Sequence, residues 1–356
     1  MPRIDIAGPS DLAALAQQLR ENGRLNGSEK YANAGRNSAR LPPIVLSVDD
    51  LQAIRVQAPD VLVDQTIPTP GASLVVGPSK SCKTILAVQA AICVATGEAL
   101  FGYYKVNNPG PVLIIENDDP GGVQSIKQIL AKRRIPVSPS TPLFVTDGAG
   151  AVLDLDFLDW LKNEIKIRSL RMVVLDSYTS LRPSRNRSSD IVKCESFDFA
   201  GLDKLGKNSA CALLVIHHHS KGSAGLDWSE KAAGSYAVTA ATESQISVGR
   251  FSDLEGNAPE RLIRIRGRHL EGVEMVLKFN KETLAMEHVL EGGAASVYPL
   301  MVQLKTAFGT NRFAPRQLTH ELGIARATAA RTISRLLAVG VIHRLGYGEY
   351  ALERSI

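Results

Sequence analysis

Gly77-Pro78-Ser79-Lys80-Ser81-Cys82-Lys83-Thr84 gathers a bend-forming glycine, two lysines and two kinds of hydroxyl residue in eight positions, a set suited to holding phosphate oxygens. The apolar run Ala72-Ser73-Leu74-Val75-Val76 precedes it and a second, Ile85 to Ala95, follows. That order predicts strand, loop and helix. In such a loop successive backbone N–H groups turn inward onto anionic oxygens, helped by the positive end of the helix. Lys83 is expected to reach the β/γ-phosphates and Thr84 to offer its hydroxyl to Mg²⁺. Cys82 stands where the pattern has glycine, and a left-handed backbone at such a residue costs about 1–2 kcal/mol.

Three more apolar runs end in polar groups, and open α/β sheets bind ligands at such strand ends. Val112-Leu113-Ile114-Ile115 leads into Glu116-Asn117-Asp118-Asp119-Pro120, where Glu116 is placed to polarise an attacking water. Met172-Val173-Val174-Leu175 leads into Asp176-Ser177, and Asp176 fits the Walker B role of holding hydrated Mg²⁺. Ala212-Leu213-Leu214-Val215-Ile216 leads into His217-His218-His219-Ser220-Lys221, whose neutral imidazoles can hydrogen-bond a γ-phosphate. A metal site of all three histidines is the weaker reading, because neighbouring side chains on an extended chain point to opposite faces.

These strands alternate with helical patterns at Leu158–Ile167 and 191–207, the signature of a mainly parallel sheet covered on both faces. Ser244–Val248, Arg261–Arg266 and Glu274–Phe279 alternate as antiparallel edge strands do. The expected organisation is a lead-in at 1–65, an α/β unit at 66–290 and a small unit at 297–356. In the lead-in, Ser10 is placed to cap a short helix carrying Leu12, Leu15 and Leu19, and 22–43 has linker composition. Glu291-Gly-Gly-Ala-Ala-Ser296 reads as a second linker. Beyond it come helices at 297–308, 315–322 and 326–338 and a strand pair at 341–351, the winged helix-turn-helix order.

The chain has 356 residues, 44% hydrophobic and 22% charged, ordinary for a soluble globular protein of about two domains. No apolar run approaches membrane-spanning length, and Met1-Pro2-Arg3-Ile4-Asp5 does not begin a signal peptide. Four scattered cysteines read as reduced thiols, so a cytoplasmic location is expected. From Ala294 onward eight Lys/Arg face three acids, a local excess equal to the +5 of the whole chain. Positive charge concentrated in this way suits a nucleic-acid partner.

With its four motifs in this order, the chain resembles the RecA-like ATPases over roughly residues 66–282. Within them it is similar to the hexameric replicative helicases of plasmids, with kinship to the DnaB and KaiC group. Leu214-Val215-Ile216-His217-His218-His219-Ser220-Lys221-Gly222 is the most family-specific stretch, and Lys231-Ala232-Ala233-Gly234-Ser235 resembles the small-residue segment that follows it. The resemblance implies ATP and Mg²⁺ between subunits of a homo-oligomer, most simply a hexamer. It implies Glu116 as water activator, with Asn117 replacing a usual second acid, Asp176 as the Walker B aspartate, and His217 and His218 as γ-phosphate sensors. Arg268, then Arg266, would be the arginine that reaches a neighbour's nucleotide.

In rings of this kind the segment after the Walker B strand faces a central channel. Here it carries Arg182, Arg185 and Arg187 with no acid until Asp190, which suits contact with the backbone of single-stranded DNA. On the helix 326–338, Thr328, Arg331 and Arg335 fall at three- and four-residue steps on one exposed face suited to a DNA groove. Leu322, Ile324, Ile333, Leu336 and Leu337 supply its buried side. The leading expectation is an ATP-dependent DNA motor, a replicative helicase of a plasmid, phage or mobile element, with no membrane partner. The alternatives are an ATP-gated initiator or regulator without unwinding activity and a filament-forming accessory ATPase. An inactive nucleotide fold would rest on Cys82 alone.

Overall fold

Alternate residues of a strand face opposite sides, so a strand apolar throughout needs cover on both. The computed structural model describes residues 4–6, 48, 54–56, 60–118, 121–133, 138, 140–148, 150–184, 190–218, 236–251 and 258–353. Its strands in chain order are β1 (Ile4–Ile6), β2 (Ile54–Val56), β3 (Asp60–Val63), β4 (Ile67–Thr69), β5 (Gly71–Gly77), β6 (Val112–Glu116), β7 (Leu143–Asp147) and β8 (Met172–Asp176). After them come β9 (Ala212–His218), β10 (Ser244–Gly249), β11 (Glu260–Gly267), β12 (Leu270–Asn280), β13 (Ala285–Glu291), β14 (Ile342–Gly346) and β15 (Glu349–Leu352). The helices are α1 (Lys83–Thr96), α2 (Val123–Lys132), α3 (Leu155–Arg168), α4 (Tyr178–Leu181), α5 (Ile191–Asn208), α6 (Tyr236–Ala240), α7 (Tyr298–Phe308), α8 (Pro315–Leu322) and α9 (Arg326–Ala338).

Nine strands form one sheet in the order β13-β12-β11-β10-β5-β9-β8-β6-β7. Val75, Val112, Ile114, Val174, Leu214 and Ile216 turn to one face, where they pack against α1 and α2. Leu74, Val76, Leu113, Ile115, Val173 and Val215 turn to the other, against α3 and α5. The fold is therefore α/β, a mainly parallel sheet with helices on both faces. Because α1 is apolar almost all round, it is buried from Leu86 to Ala95. It ends at Gly97 (φ 83°), whose N–H donates to Cys93 O, a left-handed stop that glycine tolerates. At α3, Asp154 caps the start by accepting from Phe157 N at 2.9 Å.

Four expectations need correction. Ser244–Val248 is no antiparallel edge: β10 lies inside the sheet, parallel to β5 through Ser244↔Ser73 and antiparallel only to β11. Glu274–Phe279 is also interior, since β13 flanks β12 and forms the edge. Glu291–Ser296 is no free linker: Glu291 ends β13, and Gly292–Val297 forms a 3₁₀ helix with Ala295 and Val297 buried. Leu337 is partly exposed at 37%, and Ala329 joins Ile333 and Leu336 in the core of this region instead.

Alternation did not reveal α2, β7 or the hairpin β3–β4, whose Leu62, Val63 and Ile67 are buried against α1. The exposed hydrogen-bonding edge of β13 meets a side chain that stands in for a further strand. Gln89 of α1 donates Nε2–H to Met286 O at 2.9 Å and accepts from Met286 N at 2.8 Å. Tyr103 and Tyr104, just beyond α1, both donate to the carboxylate of Glu291, the former at 2.9 Å. After the 3₁₀ helix come α7, α8, α9 and the hairpin β14–β15, around a separate core that includes Leu304, Phe313, Leu318, Ile333 and Leu336. No helix among the described residues is long and apolar enough to cross a membrane.

Candidate nucleotide site

The loop after β5 takes the shape its sequence predicts. Lys80 (φ 59°) and Cys82 (φ 74°, ψ 26°) are both left-handed, so the strain expected at Cys82 is present. Gly77 has no alternative, because a Cβ there would lie 2.4 Å from Val248 O of the adjoining β10. Lys83 is buried and folds back over the loop, donating Nζ–H to Gly77 O at 3.1 Å and Pro78 O at 2.9 Å. Burial lowers its pKa, and the charges of Asp176 and Asp118 oppose that shift. Pro78, Ser79 and Lys80 are exposed at the rim, whereas Ser81 is fully buried with no hydrogen-bond partner for Oγ among the described residues. An orphaned hydroxyl inside a ring of backbone N–H groups fits an absent anionic ligand.

Strand register assembles the rest. Gly77 pairs with His218 across β5 and β9, and Glu116 pairs with Asp176 across β6 and β8. Glu116 and Asp176 are both buried. The carboxyl of Asp176 is pushed up to about 7, first by burial and then by repulsion from Glu116, while the Thr84 hydroxyl and Lys83 pull it down. A hydroxyl already hydrogen-bonded to a buried carboxylate is an oxygen pair fit for Mg²⁺, which takes few protein ligands beside phosphate oxygens. No group of three or more His, Cys, Asp or Glu placed to hold a metal occurs among the described residues.

A carboxyl whose folded-state pKa lies above its unfolded value stabilises the fold at low pH and loses that contribution as pH rises through the folded pKa. Asp176→Asn, which keeps the shape and removes the charge, is therefore expected to raise the Tm of the nucleotide-free protein at about pH 8. It should also flatten the loss of stability between about pH 5 and pH 8 in thermal melts. An unchanged slope would remove burial of this charge as its cause.

Asp118 is the residue the motif reading passed over. Its Oδ1 accepts from Ser177 Oγ at 3.0 Å and Ser180 Oγ at 2.7 Å, and its Oδ2 faces His218 Nε2 at 3.2 Å. Its backbone N–H donates to Glu116 Oε1 at 2.9 Å and so fixes that carboxylate. Burial alone would raise the Asp118 pKa, but the hydrogen bonds from Ser180, Ser177 and His218 hold it below the usual carboxylate range. Three strand tips thus meet on one carboxylate. The missing second acid at Asn117 has its counterpart one position later, which the sequence carries in plain view. Arg250 was also missed: it follows β10 and donates Nη2–H to Lys80 O at 2.7 Å, bracing the loop from outside.

His217 lies 3.9 Å (Nε2 to Oε2) from Glu195, with Tyr178 edge-on at 5.3 Å between ring centroids. Arg182 has an acid partner after all, since Nη1 donates to Glu195 Oε1 at 3.2 Å. The expectation of an arginine without acids failed because Glu195 lies beyond the loop in sequence yet next to it in space. Arg185, Arg187, His219 and the stretch 221–231 lie outside the described residues.

Arg266 ends β11 and Arg268 follows it, and Gly267 pairs with Ser244, itself paired with Ser73. Gly77 stands four residues further along β5, about 13 Å away at roughly 3.3 Å per residue. The two arginines are therefore at the opposite end of the sheet from their own phosphate loop, with Arg268 Nη2–H donating to Ala240 O. Thr328, Arg331 and Arg335 are all exposed on α9, but Arg335 donates to Ser296 O and Oγ at 3.3 and 3.2 Å.

A phosphate loop between a parallel strand and a helix, with paired carboxylates at neighbouring strand tips, defines a P-loop nucleotide-binding protein. The chain belongs to the AAA domain family, whose model matches residues 36–224. Among solved structures it is similar to a helicase-type ATPase domain, at 12% identity and a TM-score of 0.47, over 62% of this chain and 85% of that one. It is also similar to a structure of a DnaB-like replicative helicase and its interactions with primase, at 12% identity and a TM-score of 0.49, over 62% of this chain and 59% of that one. Among curated proteins none matches.

Proposed function

We propose that the protein is an ATP-hydrolysing motor on DNA, a RecA-like replicative helicase of a plasmid, phage or mobile element that works as a ring, most simply a hexamer. The observation that carries this reading is the convergence of Lys83, Thr84, Asp176, Glu116 and His218 at adjoining strand tips, tied together by Asp118. Residues 77–84 hold the triphosphate, with Lys83 exchanging its two carbonyl acceptors for phosphate oxygens. Mg²⁺ held at Thr84 and Asp176 supplies neutralisation of phosphate charge. Glu116, aimed by the Asp118 N–H, accepts the proton of the attacking water. His217 and His218 register the γ-phosphate.

An arginine at the transferred phosphate stabilises the charge of the transition state, and a neighbouring copy can supply it. Arg268 or Arg266 of an adjacent copy is the reading that suits their place at the far end of the sheet. Residues 66–290 form the ATPase unit and 297–356 a winged helix, with 1–65 leading in. Arg182, Arg185 and Arg187 contact single-stranded DNA in the channel, and Thr328, Arg331 and Arg335 contact duplex DNA. The motor reading predicts ATP hydrolysis stimulated at least about 10-fold by single-stranded DNA, together with a closed oligomer in light scattering with ATP and DNA. Hydrolysis indifferent to DNA would transfer the assignment to an ATP-gated initiator, filaments in electron micrographs to an accessory ATPase, and a monomer would end the ring.

A further inference from the structure

One carboxylate joins the two parts of this molecule that a motor must connect. Glu195 lies in the second turn of α5 and is 7% exposed. Its Oε1 accepts from Arg182 Nη1 at 3.2 Å, and its Oε2 lies 3.9 Å from His217 Nε2. A carboxylate so buried is costly unless it is paired, so its partners set its position. Arg182 is always charged and already bonded. His217, at 3.9 Å, is just outside hydrogen-bonding distance, so a small turn of the imidazole makes or abandons a bond to the same group. Tyr178 borders the imidazole edge-on and donates its hydroxyl to Asp198 Oδ2 at 2.8 Å, further along α5. The strand tip thus leans on the helix at two places.

We propose that Glu195 is a positioning residue that carries the state of the nucleotide from His217 to Arg182, and so to the segment entering residues 185–189. A γ-phosphate that draws His217 toward the phosphate loop leaves Glu195 to Arg182 alone. Loss of the phosphate lets His217 share the carboxylate and loosens its hold on the arginine. The coupling is a difference in hydrogen bonding between two states, which is what linkage between two ligands requires. It rests on the assignment of His217 and Arg182 under the proposed function.

The test is the affinity for a fluorescent oligothymidylate, measured by anisotropy with a slowly hydrolysed ATP analogue and again with ADP. Wild type should show a ratio of at least about 5 between the two affinities, within the usual range of allosteric coupling. Glu195→Gln, which keeps the volume and loses the charge, should bring the ratio below about 2. Arg182→Ala breaks the same pair from its more exposed side and should collapse the ratio equally, with no further loss in the double variant. Loss of a simple DNA contact would weaken both affinities alike and leave the ratio intact. A wild-type ratio retained in Glu195→Gln that melts normally overturns the proposal, as does one retained in Arg182→Ala if the glutamine variant fails to fold. If wild type binds no single strand with either nucleotide, the motor reading falls and the coupling falls with it.

Discussion

ATP hydrolysis by a Lys83→Ala protein is expected to fall by at least about 10²-fold, with or without DNA, the usual cost of deleting one preorganised charge from a phosphoryl-transfer site. The reason lies in where the ammonium starts. Nζ rests on Gly77 O and Pro78 O, inside the loop that a phosphate would enter, so little movement takes it to the ligand. Alanine removes the charge and leaves both carbonyls without this donor. Nucleotide affinity should weaken along with turnover, because the lysine meets the phosphates in the ground state as well as the transition state. Steady-state rates and nucleotide titrations on the same preparation check both parts. Hydrolysis within about 3-fold of wild type would show that the loop is not the site of chemistry.

Glu116→Gln should separate binding from chemistry. The side chain is buried and held by the Asp118 N–H at 2.9 Å, a bond that glutamine's carbonyl can still accept. What glutamine cannot do is take the proton of water. Turnover is expected to drop about 10²–10⁴-fold, the range for a general base, while nucleotide affinity shifts by less than about 3-fold. A variant that loses affinity and turnover together would reassign Glu116 to binding. One that keeps turnover would hand the role of base to another carboxylate, with Asp118 the nearest in sequence and already tied to the same strand tips.

What the sequence made legible is what lies contiguous in it. The phosphate loop needs a strand, a bend and a helix in series, and Ala72 to Ala95 spells them in order. Asp176 announces itself because an acid directly after four apolar residues has one natural place, the tip of a buried strand. The sheet's two-sided burial also follows from uninterrupted apolar runs. Contacts between distant segments were not legible. Asp118 meets Ser177, Ser180 and His218 across 59 to 100 residues of chain, and no local pattern encodes that distance. The alternation in Ser244–Val248 marks a strand but says nothing of its neighbour, so Arg250 gave no sign of standing over Lys80 until β10 paired with β5. Arg182 looked unopposed because its acid comes 13 residues later, after a break that folds the chain back.

The side chain of Gln89 has a mechanical meaning. The helix that starts at Lys83 is about 21 Å long at 1.5 Å per residue. It is pinned partway along to Met286, and the tyrosines beyond its far end are pinned to Glu291, where the C-terminal helices begin. No slack separates the two ends of that rod. Tension on the C-terminal helices therefore has a short, stiff route to the phosphate loop, and the push of a phosphate on Lys83 has the same route back.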